Sequence, residues 1–490
     1  TTLLLVSSTA SPSYFMQANG NAITHTQTQG VFIGNRLQSS QVDEYLNVPF
    51  AQPPVGNLRF AKTQTIKPYT DASPRNATVP GPICIQPSSG DSTTSQVQSE
   101  DCLQLNIYKP SNVGSGRHLP VMVWLYGGSW QEGSINQARI NATNFVKRSM
   151  ELEEPVIWVA ANYRLGAFGF LPGQAIIDAQ RSGQAVLNAG IWDQREALLW
   201  IQRNIEAFGG DPSRVILYGE SAGAANVGHH LMADKGKGSV GLFRGAIQES
   251  GNAATGRRLP SNHPDAEAVY QYVLKGAGCS DSTSSSEQIA CLKQKSTKEI
   301  TAGNNLVLAN SYIAYQPTLD NYFVQEYPSL QWAKQQYLRV PFITGDNLDE
   351  GTEFPYPTTV TNDEDFKKAQ VFAIGQSIEP IFDQILKTWS SDPRQGEPYR
   401  PDYFGVSSSD TFYPPNGTNQ YKRQASMFQD IYFEAGRHLQ LRAAVQAKVP
   451  SWSYRFAQAS PVGVGMDAGV AKASMGVQHE AEIPFVFANP

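Results

Sequence analysis

Apolar residues along this chain fall into two regimes. Between residues 21 and 66 they alternate with polar residues over short runs, as in Gly30-Val31-Phe32-Ile33-Gly34, broken by turn formers. Alternation of period two marks strands with one wet face, so this stretch predicts an antiparallel meander. Farther along the alternation stops. Leu119–Tyr126, Val156–Ala161 and Val215–Tyr218 are unbroken apolar runs, which suit strands covered on both faces of a parallel sheet. Asp193–Phe208 places apolar residues at three-and-four spacing and stops at Gly209-Gly210, which predicts a helix. Gly245–Ile247, Val340–Thr344 and Ser451–Phe456 predict further strands of the same sheet. Residues 264–306 and 362–446 read as mainly helical excursions, and Ile483–Phe487 as strand-like. Strand, helix and strand joined by Gly-rich junctions predict an α/β fold. There is no internal repeat and no clean linker, so one large domain with insertions is expected.

One junction carries chemistry. Gly219-Glu220-Ser221-Ala222-Gly223 follows the strand Val215–Tyr218 and precedes a helix-like stretch, Ala224–Met232. This is the strand–turn–helix setting of a G-x-S-x-G nucleophile elbow. A tight turn puts the serine at its tip, and the flanking glycines relieve crowding of the backbone. The helix that follows then aims its first amides at a developing oxyanion. A second Gly-rich turn, Tyr126-Gly127-Gly128-Ser129-Trp130, follows the strand Leu119–Tyr126. Three carboxylates, Asp346, Asp349 and Glu350, stand just beyond the strand Val340–Thr344, and spacing leaves the choice among them open. Of seven histidines, only His438 and His479 lie well downstream of the serine. His438 has helical surroundings and reads as a surface residue. His479 sits in a loop, where a general base is expected.

Three segments together resemble the type-B carboxylesterase/cholinesterase family of α/β-hydrolases, especially its secreted fungal esterases and lipases. They are Glu100–Tyr108 (EDCLQLNIY), Asn162–Leu171 (NYRLGAFGFL) and Trp192–Gly223. The resemblance runs from about residue 27 to the end of the chain. It implies a large, mostly parallel central sheet flanked by helices, with a small N-terminal antiparallel sheet. It implies a catalytic triad of Ser221, Glu350 and His479, in the chain order of that fold. It places the oxyanion donors at the amides of Gly128, Ser129 and Ala222, supported by Gly127, Gly219, Glu220 and Gly223. Ser129 departs from the family, which has a third glycine there; the backbone donor survives the change. Glu220 is expected to be partly buried beside the site. Asp346 and Asp349 are left as solvated loop charges or turn formers. Two bracing ion pairs are also implied, Arg59 with Glu100 and Arg164 with Asp193.

The implied reaction is ester hydrolysis through an acyl-enzyme, with no metal and no organic cofactor. In the family's lipases the loop closed by the first disulfide carries an amphipathic flap. Here Ile85–Asp101 is polar, with Ile85 and Val97 its only aliphatic members. An open site for short- to medium-chain or other accessible esters is therefore expected. A lipase or sterol esterase acting on long-chain esters is the alternative. A non-catalytic adhesion module of the same fold is disfavoured, because serine, acid and histidine are all present.

Composition narrows the setting. The charge is −5 with no basic block, which argues against nucleic acid as a partner, leaving a small-molecule ester. No apolar run is long enough to span a membrane as a helix. The sequence carries no signal for oligomeric state. Cys84 and Cys102, and Cys279 and Cys291, fall in two close pairs around Ser-rich segments and without metal spacing; two loop-closing disulfides are expected. Sequons at Asn76, Asn141 and Asn416 are glycosylation candidates and agree with a secreted, extracellular protein. Residues 1–10 read as a signal-peptide remnant. Residues 11–490 read as the catalytic domain, cut short at its C-terminus.

Overall fold

The computed structural model describes residues 20–71, 73–87, 96–310, 315–354, 359–374, 376–392, 395–397, 420–458 and 475–489. The expected signal remnant, the sequon at Asn416 and the tip of the Ile85–Asp101 loop lie outside these residues.

The strands are β1 Asn21–Thr26, β2 Gly30–Leu37, β3 Val42–Pro49, β4 Arg75–Asn76, β5 Gln104–Pro110, β6 Leu119–Leu125, β7 Ile157–Ala161, β8 Gly210–Glu220, β9 Gly245–Glu249, β10 Phe342–Asn347 and β11 Ser451–Phe456. They form one sheet in the order β1-β2-β3-β5-β7-β6-β8-β9-β10-β11, with β4 on the side of β2. From β1 to β7 the pairings on this path are antiparallel, and from β7 to β11 they are parallel. The expected N-terminal antiparallel sheet is thus one flank of a continuous surface. β1 alternates exposed and buried residues, whereas every residue of β5 and β7 is buried. The alternating and the unbroken patterns thus mark β1 and β7; β5, whose sequence mixes polar and apolar residues, is also wholly buried, and β11 at the far edge has no buried residue.

Several boundaries differ from expectation. β8 is longer than its apolar run, because its first residues extend the strand past Val215. β10 starts and ends later than Val340–Thr344 and carries Asp346 and Asn347 at its end. Ile483–Val486 is a short helix rather than a strand, with Pro484 in its first turn. A five-residue apolar run has no readable period, and proline suits a first helical turn. Asp193–Phe208 is helical as expected, as the end of the helix Ala189–Asn204 and one further 3-10 turn, closed by Gly209 at φ +90°.

Trp124 of β6 and Trp158 of β7 pack edge to face both on Tyr218 of β8 and on Phe487, whose ring is thereby buried in the core. Both disulfides are present, Cys84–Cys102 and Cys279–Cys291. The two ion pairs exist and are buried. Arg164 donates to Asp193 from its amide, Nε and Nη2 at 2.8–2.9 Å. Arg59 forks onto Glu100 at 2.5 and 2.8 Å, and its Nη1 donates to the carbonyls of Leu292 and Lys295. Asn76 is exposed on β4, and Asn141 is half-buried, its side chain accepting from the Thr143 amide. No helix among the described residues is long and apolar enough to cross a membrane.

Candidate active site

Parallel strands bring their C-terminal ends to one edge, and the singled-out residues gather there. Register sets Leu125 of β6 beside Gly219 of β8, and Glu220 beside Glu249 of β9. Ser221 leaves β8 at φ 55°, ψ −124°, a strained conformation for a residue with a Cβ, and the helix Ala222–Met232 starts at once. Its amide donates to the Glu249 carbonyl at 2.9 Å, and its carbonyl accepts from Ala225 at 2.9 Å. Glycine is required where this turn crosses β6. A Cβ on Gly223 would stand 2.0 Å from the Leu125 carbonyl oxygen, and one on Gly127 would meet Glu220 Oε2 and Ser221 Cβ within 2.8 Å. Gly219 faces the Gly223 backbone in the same crossing.

The turn after β6 runs through three consecutive positive φ values, at Gly128, Ser129 and Trp130. It is held from within by amides of Gln131 and Glu132 donating to the Gly128 carbonyl. From outside, Trp130 Nε1 donates to Asn226 Oδ1 at 2.9 Å on the helix after Ser221. Ser129, the departure from the family, is exposed and tolerates its left-handed backbone. The amides of Gly128, Ser129 and Ala222 make no hydrogen bond among the described residues.

His479 lies between a hydroxyl and two carboxylates. Its Nδ1 is 2.6 Å from Glu350 Oε2, and its Nε2 is 2.8 Å from Ser221 Oγ and 3.2 Å from Glu220 Oε1. A carboxylate at Nδ1 fixes the tautomer with hydrogen on Nδ1, leaving Nε2 to accept from the serine hydroxyl. Glu350 is fully buried; its other oxygen accepts from the Asn347 amide at 2.6 Å. Burial pushes the Glu220 carboxyl well above its usual range. Burial also opposes charge on His479, but Glu220 and Glu350 outweigh it and hold the imidazole above its ordinary value.

Asp346 and Asp349 are not the solvated loop charges expected. Both are buried. Asp346 accepts from Arg437 Nε at 2.5 Å. Asp349 exchanges two bonds with Val477, amide to carbonyl at 3.0 Å and carboxylate from amide at 2.9 Å, and so clamps the histidine loop to the acid turn. Asn347 extends the clamp, donating to the Gln478 carbonyl at 2.8 Å and to Glu482 Oε2 at 2.5 Å. Their partners lie some 90 to 130 residues away in sequence, so no local pattern marked them. His438 is a helix-surface residue as expected, bonded to Glu434.

One feature went unmarked. Phe354 and Phe433 stand 5.4 and 5.1 Å from the His479 ring, and Phe428 stacks on Tyr432 beside them. Phe433 and Tyr432 sit on a π-helical turn, Asp430–Glu434, whose carbonyls are taken up by Asn252 and Thr255. Phe433 thus reaches the His479 ring from a π turn, while Phe354 reaches it from the segment after Glu350.

A sequence model of the carboxylesterase family matches residues 21–490. Lipase 1 of Geotrichum candidum is 30% identical over 91% of this chain and 83% of its own length. The secreted triacylglycerol lipase LIP1 of Gibberella zeae is 31% identical over 91% of this chain and 76% of its own length. Among solved structures, Aspergillus niger EstA superposes with a TM-score of 0.78 at 27% identity, covering 96% of this chain and 83% of its own. A pNB esterase does so with a TM-score of 0.72 at 27% identity, covering 95% and 85%.

Proposed function

This chain belongs to the carboxylesterase family, and from that premise we propose that it cleaves carboxylic esters through an acyl-enzyme on Ser221. The observation that supports the mechanism is the two-sided engagement of His479, Nε2 toward Ser221 Oγ at 2.8 Å and Nδ1 toward Glu350 at 2.6 Å. Ser221 Oγ bonds to the acyl carbon while its proton passes to His479 Nε2. Glu350 holds the tautomer and stabilises the imidazolium. The amides of Gly128, Ser129 and Ala222 receive the negative oxygen; one such donor is typically worth about 2.7–4 kcal/mol. The alcohol departs with the proton from Nε2. Water then gives a proton to Nε2, its oxygen attacks the acyl carbon, and the acid leaves as Ser221 recovers its hydrogen.

The polar character of the Ile85–Asp101 loop supports short- to medium-chain or otherwise accessible esters. The second reading, a lipase or sterol esterase acting on long-chain esters, is favoured on its lipase side by the names of the Geotrichum relative, a lipase, and the Gibberella relative, a triacylglycerol lipase. A p-nitrophenyl ester series from acetate to palmitate, with emulsified tributyrin and triolein, separates the two. Turnover that falls with chain length, and no jump at the emulsion limit, supports the esterase. Ser221→Ala should lose about 10⁴-fold or more of kcat; unchanged turnover refutes the mechanism. Two disulfides suit an oxidising compartment, and several relatives are named as secreted, which supports an extracellular location.

A further inference from the structure

The histidine loop is tied to the rest of the site at three places. Asp349 and Asn347 hold the residues before His479 from the acid side. Beyond it, Asn489 Nδ2 donates to the carbonyls of Arg139 and Asn141, and Phe487 is buried in the core. Between these anchors stands Glu480, next to His479, at φ +65°. A glutamate gains nothing from the left-handed region, so something outside its own backbone must hold it there.

That something is Arg139. It lies in the 3-10 turn Ala138–Ile140, on the segment that follows the Gly127–Trp130 turn and precedes the helix Thr143–Glu151. Its Nη1 and Nη2 donate to the two oxygens of Glu480, across 341 residues of sequence. Both side chains are more than four-fifths buried. A planar fork on a carboxylate fixes direction as well as distance. The pair therefore joins the oxyanion side of the site directly to the residue adjoining the imidazole.

The pair also concerns charge. His479 faces Glu350 and Glu353 from the turn after β10, and Glu220 from the end of β8. From its own segment it faces Glu480 and Glu482, with the rings of Phe354 and Phe433 closing the remaining side. Among the described residues Arg139 is the cation bonded to this acidic surround. Glu480 is held below its usual range because Arg139 outweighs the burial that would raise it, so it is an anion beside the histidine. With the guanidinium in place the imidazole sees a dipole; without it, burial pushes the Glu480 carboxyl up and the imidazolium becomes its remaining partner, so the two charges favour each other.

We propose that Arg139 is a positioning residue for the hydrolysis: its fork on Glu480 locks the turn that aims His479 at Ser221 and screens the imidazole from the Glu480 charge. The inference rests on the serine–histidine reading above. It makes two variants move one observable in opposite directions, which loss of a merely structural contact would not do. In Arg139→Gln the unscreened carboxylate favours imidazolium, so the acid limb of the kcat/KM–pH profile moves up by about half a unit to one unit. In Glu480→Gln the limb moves down. The double variant returns to near the wild-type limb. Displacement of the turn also lowers kcat by about tenfold in Arg139→Gln, with KM little changed. Arg139→Lys restores the limb without restoring all of kcat, since an ammonium carries the charge but not the fork.

The test measures kcat and KM for p-nitrophenyl butyrate from pH 5 to 9 in all four variants, the wild type and Ser221→Ala, with thermal unfolding as a check on folding. Opposite shifts that cancel in the double variant support the proposal. Limbs that stay fixed or move together overturn it, provided Ser221→Ala is inactive. If Ser221→Ala still turns over, the serine mechanism has failed instead, and the two failures are told apart. If Arg139→Gln does not fold, Glu480→Gln and Arg139→Lys decide alone: a downward limb in the first and a wild-type limb in the second support the proposal, and any other pair of limbs overturns it.

Discussion

The elbow around Ser221 and the loop around His479 present their side chains to each other at 2.8 Å, yet they are built in opposite ways. The elbow is one contiguous stretch. Its shape comes from main chain: a strand end, a strained φ and a glycine packed against a neighbouring carbonyl. The loop is a junction of distant segments. Its shape comes from side chains, Asp349, Asn347, Glu350 and Arg139, each reaching more than a hundred residues along the chain. A main-chain device admits no intermediate settings, whereas a side-chain device can be graded. Positioning of Ser221 should be all or nothing, and tuning should live on the histidine side.

The largest effect separates the two carboxylates near the ring. Glu350→Gln should lower kcat by about 10³–10⁴-fold, because an amide at Nδ1 admits the wrong tautomer. Glu220→Gln, near Nε2 and raised by burial, should lower it by far less, within about a hundredfold. Equal losses in a side-by-side kcat measurement would break the assignment of the acid. Next comes the elbow itself. Gly223→Ala puts a Cβ against backbone that cannot yield, so kcat should fall by about 10²-fold or more, with lowered thermal stability. A variant of native activity and melting temperature would break the idea that main chain alone sets this side.

The smallest effect is on stability and depends on pH. Glu482 is pushed up to about 7, first by burial and then by Glu350. A carboxyl whose folded value exceeds its unfolded one contributes stability at low pH, and that contribution is lost as the pH rises from about 4.3 toward 7. Glutamine cannot ionise. The melting temperature of Glu482→Gln should therefore gain on the wild type by a few degrees between pH 5 and 8. A constant gap across that range would sharpen the comparison differently, by showing that the buried acids on the histidine side do not titrate.

The same contrast explains what could be read before any coordinates. Strands buried on both faces, the long helix before β8 and the elbow are local patterns, and they stand where the apolar runs and glycines put them. His479 is legible because only two histidines lie well downstream of the serine, and the other, His438, has helical surroundings. Spacing does not separate Glu350 from Asp346 and Asp349; neither of the latter two is solvated, although Asp349 is a turn former, its carbonyl accepting from Thr352. Burial of a charge is decided by its partner, and Arg437 and the Val477 amide are remote in sequence. The aromatic wall beside His479 has no local signal: Phe433 reaches the ring from a π turn, which helical periodicity does not record.

The guanidinium of Arg59 has a further consequence. One side of it grips Glu100, two residues before Cys102; another grips the carbonyl of Leu292, one residue after Cys291. Two covalent rings that share no bond are thereby hung on the same peg. Closing either ring fixes the chain next to acceptors that Arg59 uses, and so holds the guanidinium near the other. The two bridges should form and resist reductant as a linked pair, with Arg59→Ala releasing them to behave independently.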